Sequence, residues 1–71
     1  MNYVNVVSST IQSVGYEPET QIMAVVFHNG SEYHYSDVPE ATYDRVRLAG
    51  SVGRAFDAHV KKGGFRFSKL R

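Results

Sequence analysis

The chain has 71 residues, a formal net charge of +1 and no cysteine. This length suffices for one small domain, and the absence of cysteine excludes disulfides and thiolate metal sites within it. The longest apolar run, Ile22–Phe27, is too short to span a bilayer, and residues 1–7 lack the basic start of a signal peptide. We therefore expect a cytoplasmic protein with no membrane partner.

The near-neutral net charge hides an uneven distribution of charged side chains. Residues 1–60 contain three basic and seven acidic side chains, whereas residues 61–71 contain five basic side chains and no acid. A basic segment on an acidic body can attract phosphate. The alternative is a solvated, partly frayed terminus.

The first half of the chain predicts strands. A short extra strand is predicted at 3–7 and a strand at 10–16, where Ile11 and Val14 break strict alternation and indicate a bulge or a bend. A polar connector with one proline leads to a strand at 21–27. Asn29-Gly30 then predicts a hairpin with a type I′ turn into a strand at 31–35.

The strand at 21–27 has apolar side chains on both faces. A two-layer domain of this size usually leaves one sheet face in water. Either this strand is central and well covered, or its second face meets another subunit, and we expect the second. This expectation makes the protein a homo-oligomer.

The second half predicts two short helices. Asp37 as the cap, Pro39 and Glu40 suit a helix start, and Gly50 is expected to end that helix. Ser51 is expected to cap the next helix, whose core stripe recurs every four residues: Val52, Phe56 and Val60. After Gly63-Gly64, residues 65–68 predict a short final strand or an extended basic arm.

These elements predict an α+β fold with two layers, a three-stranded antiparallel β-meander followed by two short α-helices. The whole chain, 1–71, is expected to form one domain, with a core at about 8–61 and a basic C-terminal arm at 62–71.

The order of several short motifs resembles the KTSC domain family. The matching residues are Ser8-Ser9, Val14-Gly15-Tyr16, Phe27 to Gly30, Tyr33-His34-Tyr35, Asp37-Val38-Pro39, Tyr43, Ala49-Gly50-Ser51-Val52-Gly53 and Phe56. The family is named for its place at the C-terminus of some lysyl-tRNA synthetases and also occurs as short bacterial or phage proteins. The resemblance suggests RNA binding. Asp57 departs from the pattern, in which we expect Asn or a similar residue.

Tyr33 and Tyr35 share one strand face by the period of two. Paired aromatic rings on a sheet can stack nucleic-acid bases. The alternative is that both rings pack under the helices as core residues.

Ser51, Gly53 and Arg54 cluster at the predicted start of the second helix. Free N–H groups, a hydroxyl and a guanidinium at one helix end can bind phosphate. The alternative is an ordinary cap with a glycine for close packing. We add three basic residues to the predicted ligand-binding set: Lys61, Lys62 and Arg66.

No reaction centre is predicted. Glu32, His34 and His28 make a metal site conceivable but fall short of well-placed ligands, and Ser8 and Ser9 are expected to hydrogen-bond the backbone at a strand start. We expect no catalytic residues, no cofactor and no enzyme activity.

The sequence favours a module that binds RNA, other nucleic acid or nucleotide phosphate. The alternative is a phage or bacterial protein-interaction module that binds a host protein or itself, including an oligomer that sequesters signalling nucleotides.

Overall fold

The computed structural model describes all 71 residues as two layers, an antiparallel sheet with helices on one face. The sheet has five strands in the order β1-β2-β3-β4-β5. The strands are β1 Asn2–Asn5, β2 Ile11–Glu17, β3 Ile22–Phe27, β4 Glu32–Tyr35 and β5 Phe67–Lys69. The helices are α1 Glu40–Arg47 and α2 Val52–Phe56, and α2 continues as a π-helical segment, Asp57–Lys61. None of these helices has the length and apolar composition that crossing a bilayer requires.

The predicted α+β class and the three-stranded meander are confirmed, and two strands extend the meander. The extra strand near the start of the chain forms as β1. The end of the chain forms β5, which pairs antiparallel with β4 so that Phe67 lies opposite Tyr35 and Lys69 opposite Tyr33. Residues 67–69 therefore belong to the sheet, and the extended-arm alternative is wrong for them.

The predicted bulge in β2 is confirmed. Ile11 lies opposite Phe27, but Ser13 lies opposite Val26, so Gln12 is an extra residue in β2. Because the bulge shifts the side-chain alternation by one position, Ile11 and Val14 both point into the core, and both are fully buried.

The hairpin between β3 and β4 forms, but its predicted type I′ turn is wrong. The Phe27 N–H donates to the Ser31 carbonyl at 2.8 Å, and the Gly30 N–H donates to the Phe27 carbonyl at 2.9 Å. Only Gly30 in this loop has a positive φ, 91°. The loop therefore has three residues, with glycine in the left-handed position. Asn29 instead accepts a hydrogen bond from the Ser31 N–H through its side-chain oxygen, at 2.9 Å.

The start and end of α1 also differ from the prediction. Pro39 occupies the N-cap position and provides no side-chain cap. Asp37 lies two residues earlier with a φ of 60°, so it serves the turn before the helix rather than capping it. At the other end, α1 stops at Arg47 instead of continuing to Gly50.

One hydrophobic core lies between the sheet and the helices. The stripe of Val52, Phe56 and Val60 is buried there, as the four-residue spacing predicts. Tyr16 from β2 stacks on Tyr43 from α1 with ring centroids 4.9 Å apart. This packing fixes α1 and α2 over the sheet. The start of α2 lies against the Ser8–Thr10 loop, and Phe56 at the end of α2 packs against Tyr35 on β4.

The outer face of β3 is covered within the single chain. Ala24 is fully buried and Val26 is 9% exposed. The Tyr3 hydroxyl on β1 donates to the Glu32 carboxylate on β4 at 2.6 Å, so these two side chains span the outer face of the strands between them. The single chain therefore already buries Ala24 and Val26, and a second subunit is not needed to cover them.

Candidate functional site

An open groove lies between the start of α2 and the aromatic end of the sheet. The loop from Ser8 to Thr10 and the β3–β4 turn form its other margins. Six of the eight predicted ligand-binding residues line it: Tyr33, Tyr35, Ser51, Gly53, Arg54 and Lys61. The fold thus brings together residues that are separated by up to 28 positions in the chain. Lys62 and Arg66 are exposed and lie outside the groove.

The aromatic side of the groove consists of stacked and tilted rings. Tyr33 and Tyr35 are 6.5 Å apart at a 26° angle, and Phe67 lies 5.9 Å from Tyr33 and 5.5 Å from Tyr35. Tyr35 also packs against Phe56 at 5.5 Å and is only 6% exposed, so it is a core residue. Burial raises the pKa of its hydroxyl. Tyr33 is half-buried, and Phe67 is 60% exposed. The ring surface available to a ligand therefore belongs to Tyr33 and Phe67.

Basic side chains lie around these rings. Arg54 is exposed and forms no ion pair in the structure. The Lys69 ammonium lies 5.9 Å from the centroid of the Tyr33 ring, within cation–π range. The Lys61 ammonium lies 3.9 Å from the Asp57 carboxylate, which also lines the groove. Asp57 therefore opposes part of the positive charge that the groove offers to a phosphate.

The start of α2 is built as a cap with close packing. The Ser51 hydroxyl accepts a long hydrogen bond, 3.5 Å, from the Arg54 N–H. A Cβ on Gly53 would come within 3.3 Å of the Thr10 hydroxyl and 3.4 Å of the Ser8 hydroxyl. Close approach of this loop therefore accounts for the glycine.

The predicted backbone role of Ser8 is confirmed. Its hydroxyl oxygen accepts hydrogen bonds from the N–H groups of Thr10 and Ile11, each at 3.2 Å. The nearby His28 donates from Nε2 to the backbone carbonyl of Ser8 at 2.9 Å. The histidine therefore connects the loop to the hairpin through the backbone, and the serine hydroxyl hydrogen-bonds other groups.

A second polar cluster lies on the outer face of the sheet, centred on the buried Glu32. Its carboxylate accepts hydrogen bonds from the Tyr3 hydroxyl at 2.6 Å, from His34 Nε2 at 2.9 Å and from Arg71 Nη2 at 2.9 Å. The hydrogen bond from Tyr3, then that from His34 and the charge of Arg71, hold the pKa of Glu32 below its ordinary value. No three His, Cys, Asp or Glu side chains converge anywhere in the structure.

The sequence prediction missed Phe67, which lines the groove, and Lys69, whose ammonium lies beside the Tyr33 ring. Both lie on β5, and they reach Tyr33 only because β5 pairs with β4. The alternation of Phe65, Arg66, Phe67 and Ser68 after two glycines indicated a strand, but nothing local indicated which strand it would join.

A family model described as the KTSC domain matches residues 7–65. The chain belongs to the KTSC domain family. A crystal structure of a KTSC domain protein from Yersinia pestis is 37% identical to this chain, with a TM-score of 0.87, and the match covers 99% of this chain and 97% of that one. The resemblance drawn from the sequence motifs is therefore confirmed.

Two sequence relatives place this KTSC domain in different contexts. A protein of Stutzerimonas stutzeri is 36% identical over 70 residues, 99% of each chain. A lysine–tRNA ligase of Nostoc is 36% identical over 62 residues, which cover 87% of this chain and 11% of the ligase. The family model ends at residue 65, so Phe67 and Lys69 lie just beyond the matched region.

Proposed function

We propose that this KTSC domain binds single-stranded RNA in the groove between α2 and the aromatic end of the sheet. One observation carries the proposal: the accessible rings of Tyr33 and Phe67 line one open groove together with two basic side chains, those of Arg54 and Lys61. The Lys69 ammonium lies beside the Tyr33 ring. The rings supply stacking surfaces for bases, and the cations supply partners for phosphates.

The chemistry of single-strand binding supports this assignment. Aromatic rings contribute about 1–3 kcal/mol per stacked base, and they accept any base because every base has a π-face. The Lys69 ammonium beside the Tyr33 ring would meet the phosphate of a base stacked there. The relationship to a segment of a lysine–tRNA ligase supports an RNA rather than a DNA partner.

Binding can be measured by fluorescence anisotropy of a labelled RNA strand of about ten nucleotides, the range of one small binding module. We expect Phe67→Ala to weaken binding by about 5-fold or more, which corresponds to the loss of one stacked base. Arg54→Ala should weaken it and reduce the dependence of log affinity on log salt by about 0.7, the value for one phosphate on a single strand.

Arg45→Ala is the matched control, because Arg45 is an exposed arginine on α1 outside the groove. It removes the same charge from the protein but should leave the affinity within about 2-fold of the parent, as expected for a distant charge at physiological salt. Equal losses in the two arginine variants would assign binding to net charge. Tight binding of a single nucleotide, with no gain for the longer strand, would assign the groove to free nucleotides.

We propose that the protein acts by binding and not by catalysis. The hydroxyls that line the groove, such as that of Ser8, have no histidine nitrogen bonded to them, whereas nucleophilic catalysis by serine needs an adjacent base. The labelled RNA should therefore be recovered at full length on a denaturing gel after prolonged incubation. Shortened RNA that depends on Ser8 would contradict this.

A further inference from the structure

The outer edge of β1 carries unused backbone hydrogen-bonding groups. β1 lies at the margin of the sheet and pairs only with β2. The Val6 N–H donates to the Gln12 carbonyl at 3.1 Å, and hydrogen-bonded pairs alternate along an antiparallel ladder. Val4 therefore bonds β2, whereas Tyr3 and Asn5 direct their N–H and C=O groups away from the sheet.

The β1 edge also lacks the charges that normally protect an edge strand. The first charged side chain of the sequence is Glu17. The opposite edge, β5, contains Lys69 and is flanked by Arg66 and Arg71. Proteins commonly use lysine or other charges on an edge to prevent pairing with a second molecule. Of the two edges, only β5 has this protection.

We propose that β1 pairs antiparallel with β1 of a second copy of this chain and joins the two sheets into one. A two-fold axis through Val4 places Tyr3 opposite Asn5 of the partner subunit and Asn5 opposite Tyr3 of the partner subunit. Each of these pairs exchanges two backbone hydrogen bonds, so all the outward groups of the two residues are satisfied. The symmetric register is the reason to assign the edge to a second copy.

Side chains support the same register. Val4 is 47% exposed in the single chain. In the proposed dimer it faces its symmetry mate in a non-hydrogen-bonded pair, where opposing side chains are closest. Uncharged side chains on both strands mean that no like charges are brought together. By contrast, two β5 edges would bring together several basic side chains.

The proposal is independent of RNA binding. β1 and β5 lie at opposite margins of the sheet, so pairing at β1 leaves Tyr33 and Phe67 in the groove accessible. A strand-edge interface of this length is small, and small interfaces form weak complexes. We expect dimerisation with a Kd in the range of about 10 µM to 1 mM.

Sedimentation equilibrium of the full chain across that concentration range tests the proposal. Asn5→Pro removes an outward N–H that β2 does not use, a position where an edge strand tolerates proline. It should weaken dimerisation by about 10-fold or more, the equivalent of ~1.4 kcal/mol. Asn5→Ala keeps the N–H and should associate like the parent.

Val4→Lys provides a second test, which does not depend on introducing a proline into β1. It brings two ammonium groups together at the axis and should abolish association, whereas Ser68→Lys on β5 should not. Circular dichroism of each variant at low concentration checks its fold. In the parent, hydrogen exchange of the Tyr3 and Asn5 amides should slow as the protein concentration rises. A monomer throughout the range, or a dimer unaffected by both Asn5→Pro and Val4→Lys, overturns the proposal.

Discussion

Tyr33 and Tyr35 differ in environment although they share a strand and a face. The period of two correctly predicts that their rings lie side by side, as the 6.5 Å separation shows. It does not predict that Tyr35 is 6% exposed while Tyr33 remains half-buried. That difference depends on Phe56 and Phe67, which approach from distant parts of the chain. The core alternative is therefore confirmed for Tyr35, and ligand contact by Tyr33 stays a prediction.

We predict that Tyr35→Ala and Tyr33→Ala have separable effects. Tyr35→Ala should lower the free energy of unfolding by about 3–5 kcal/mol, because it leaves a large cavity in the core. Tyr33→Ala should cost less stability and should weaken RNA binding more than its stability loss explains. Urea unfolding and RNA anisotropy on the same samples measure both effects. Equal stability losses would mean that Tyr33 is also a core residue.

Glu32 is the residue whose ionisation should govern stability in acid. Its hydrogen bonds from Tyr3 and His34, together with Arg71, lower its folded-state pKa below the ordinary value of 4.5. The stabilisation is therefore complete above pH 4.5 and is lost as the pH falls through the folded-state pKa. Glu32→Gln should lower the free energy of unfolding by about 1.5–3 kcal/mol at neutral pH, the usual contribution of hydrogen bonds to a charged group.

Melting temperature as a function of pH measures this effect. The difference between the parent and Glu32→Gln should be constant above pH 4.5 and should shrink as the solution becomes more acidic. Glu17→Gln is the control, because Glu17 is a carboxylate with no side-chain hydrogen bond or ion pair in the structure. A Glu32→Gln difference that stays constant at every pH would show that the carboxylate charge does not stabilise the fold.

Among the elements, those specified by local pattern were predicted and those specified by distant pairing were not. The bulge at Gln12 and the stripe of Val52, Phe56 and Val60 follow from residue spacing alone, and both are confirmed. The position of β5 depends on pairing across more than thirty residues, and no local pattern encodes it. The start of α1 was predicted wrongly because Asp37 is common both as a cap and in tight turns.

The β3–β4 hairpin depends on one glycine in the left-handed backbone conformation. Gly30 has a φ of 91°, and a Cβ added there would meet no atom within 4 Å. Any cost of Gly30→Ala therefore comes from the left-handed backbone, about 1–2 kcal/mol. Gly50→Ala is the matched control, since its Cβ would also meet open space but its φ is not positive. Urea unfolding should show a loss only for Gly30→Ala, and equal results would mean that the loop adjusts freely.

Folding redistributes the charged side chains that are separated along the sequence. The basic residues 61–71 do not form one patch. Lys61 and Lys62 turn toward Asp57, with ammonium–carboxylate distances of 3.9 Å and 3.3 Å, while Arg71 binds Glu32 on the outer face at 2.9 Å. Positive charge without an acidic partner in the groove is left mainly to Arg54. Charge counts along the chain therefore overstate the basic character of the groove.

Asp57 should accordingly limit the affinity of the groove for RNA, and Asp57→Asn should raise it. The substitution frees the Lys61 ammonium, which lines the groove, to contact phosphate. This added contact should steepen the dependence of log affinity on log salt by about 0.7. The ion pairs that are lost are exposed, so the free energy of unfolding should change by less than about 1 kcal/mol.

Asp44→Asn is the matched control, because it breaks an exposed pair with Arg47 on α1 and makes the same change in net charge. Anisotropy titrations over a range of salt should show tighter binding for Asp57→Asn alone, since only that carboxylate lies beside the bound phosphates. If both substitutions raised the affinity equally, net charge would be the cause, and the groove would not be the site at which RNA binds.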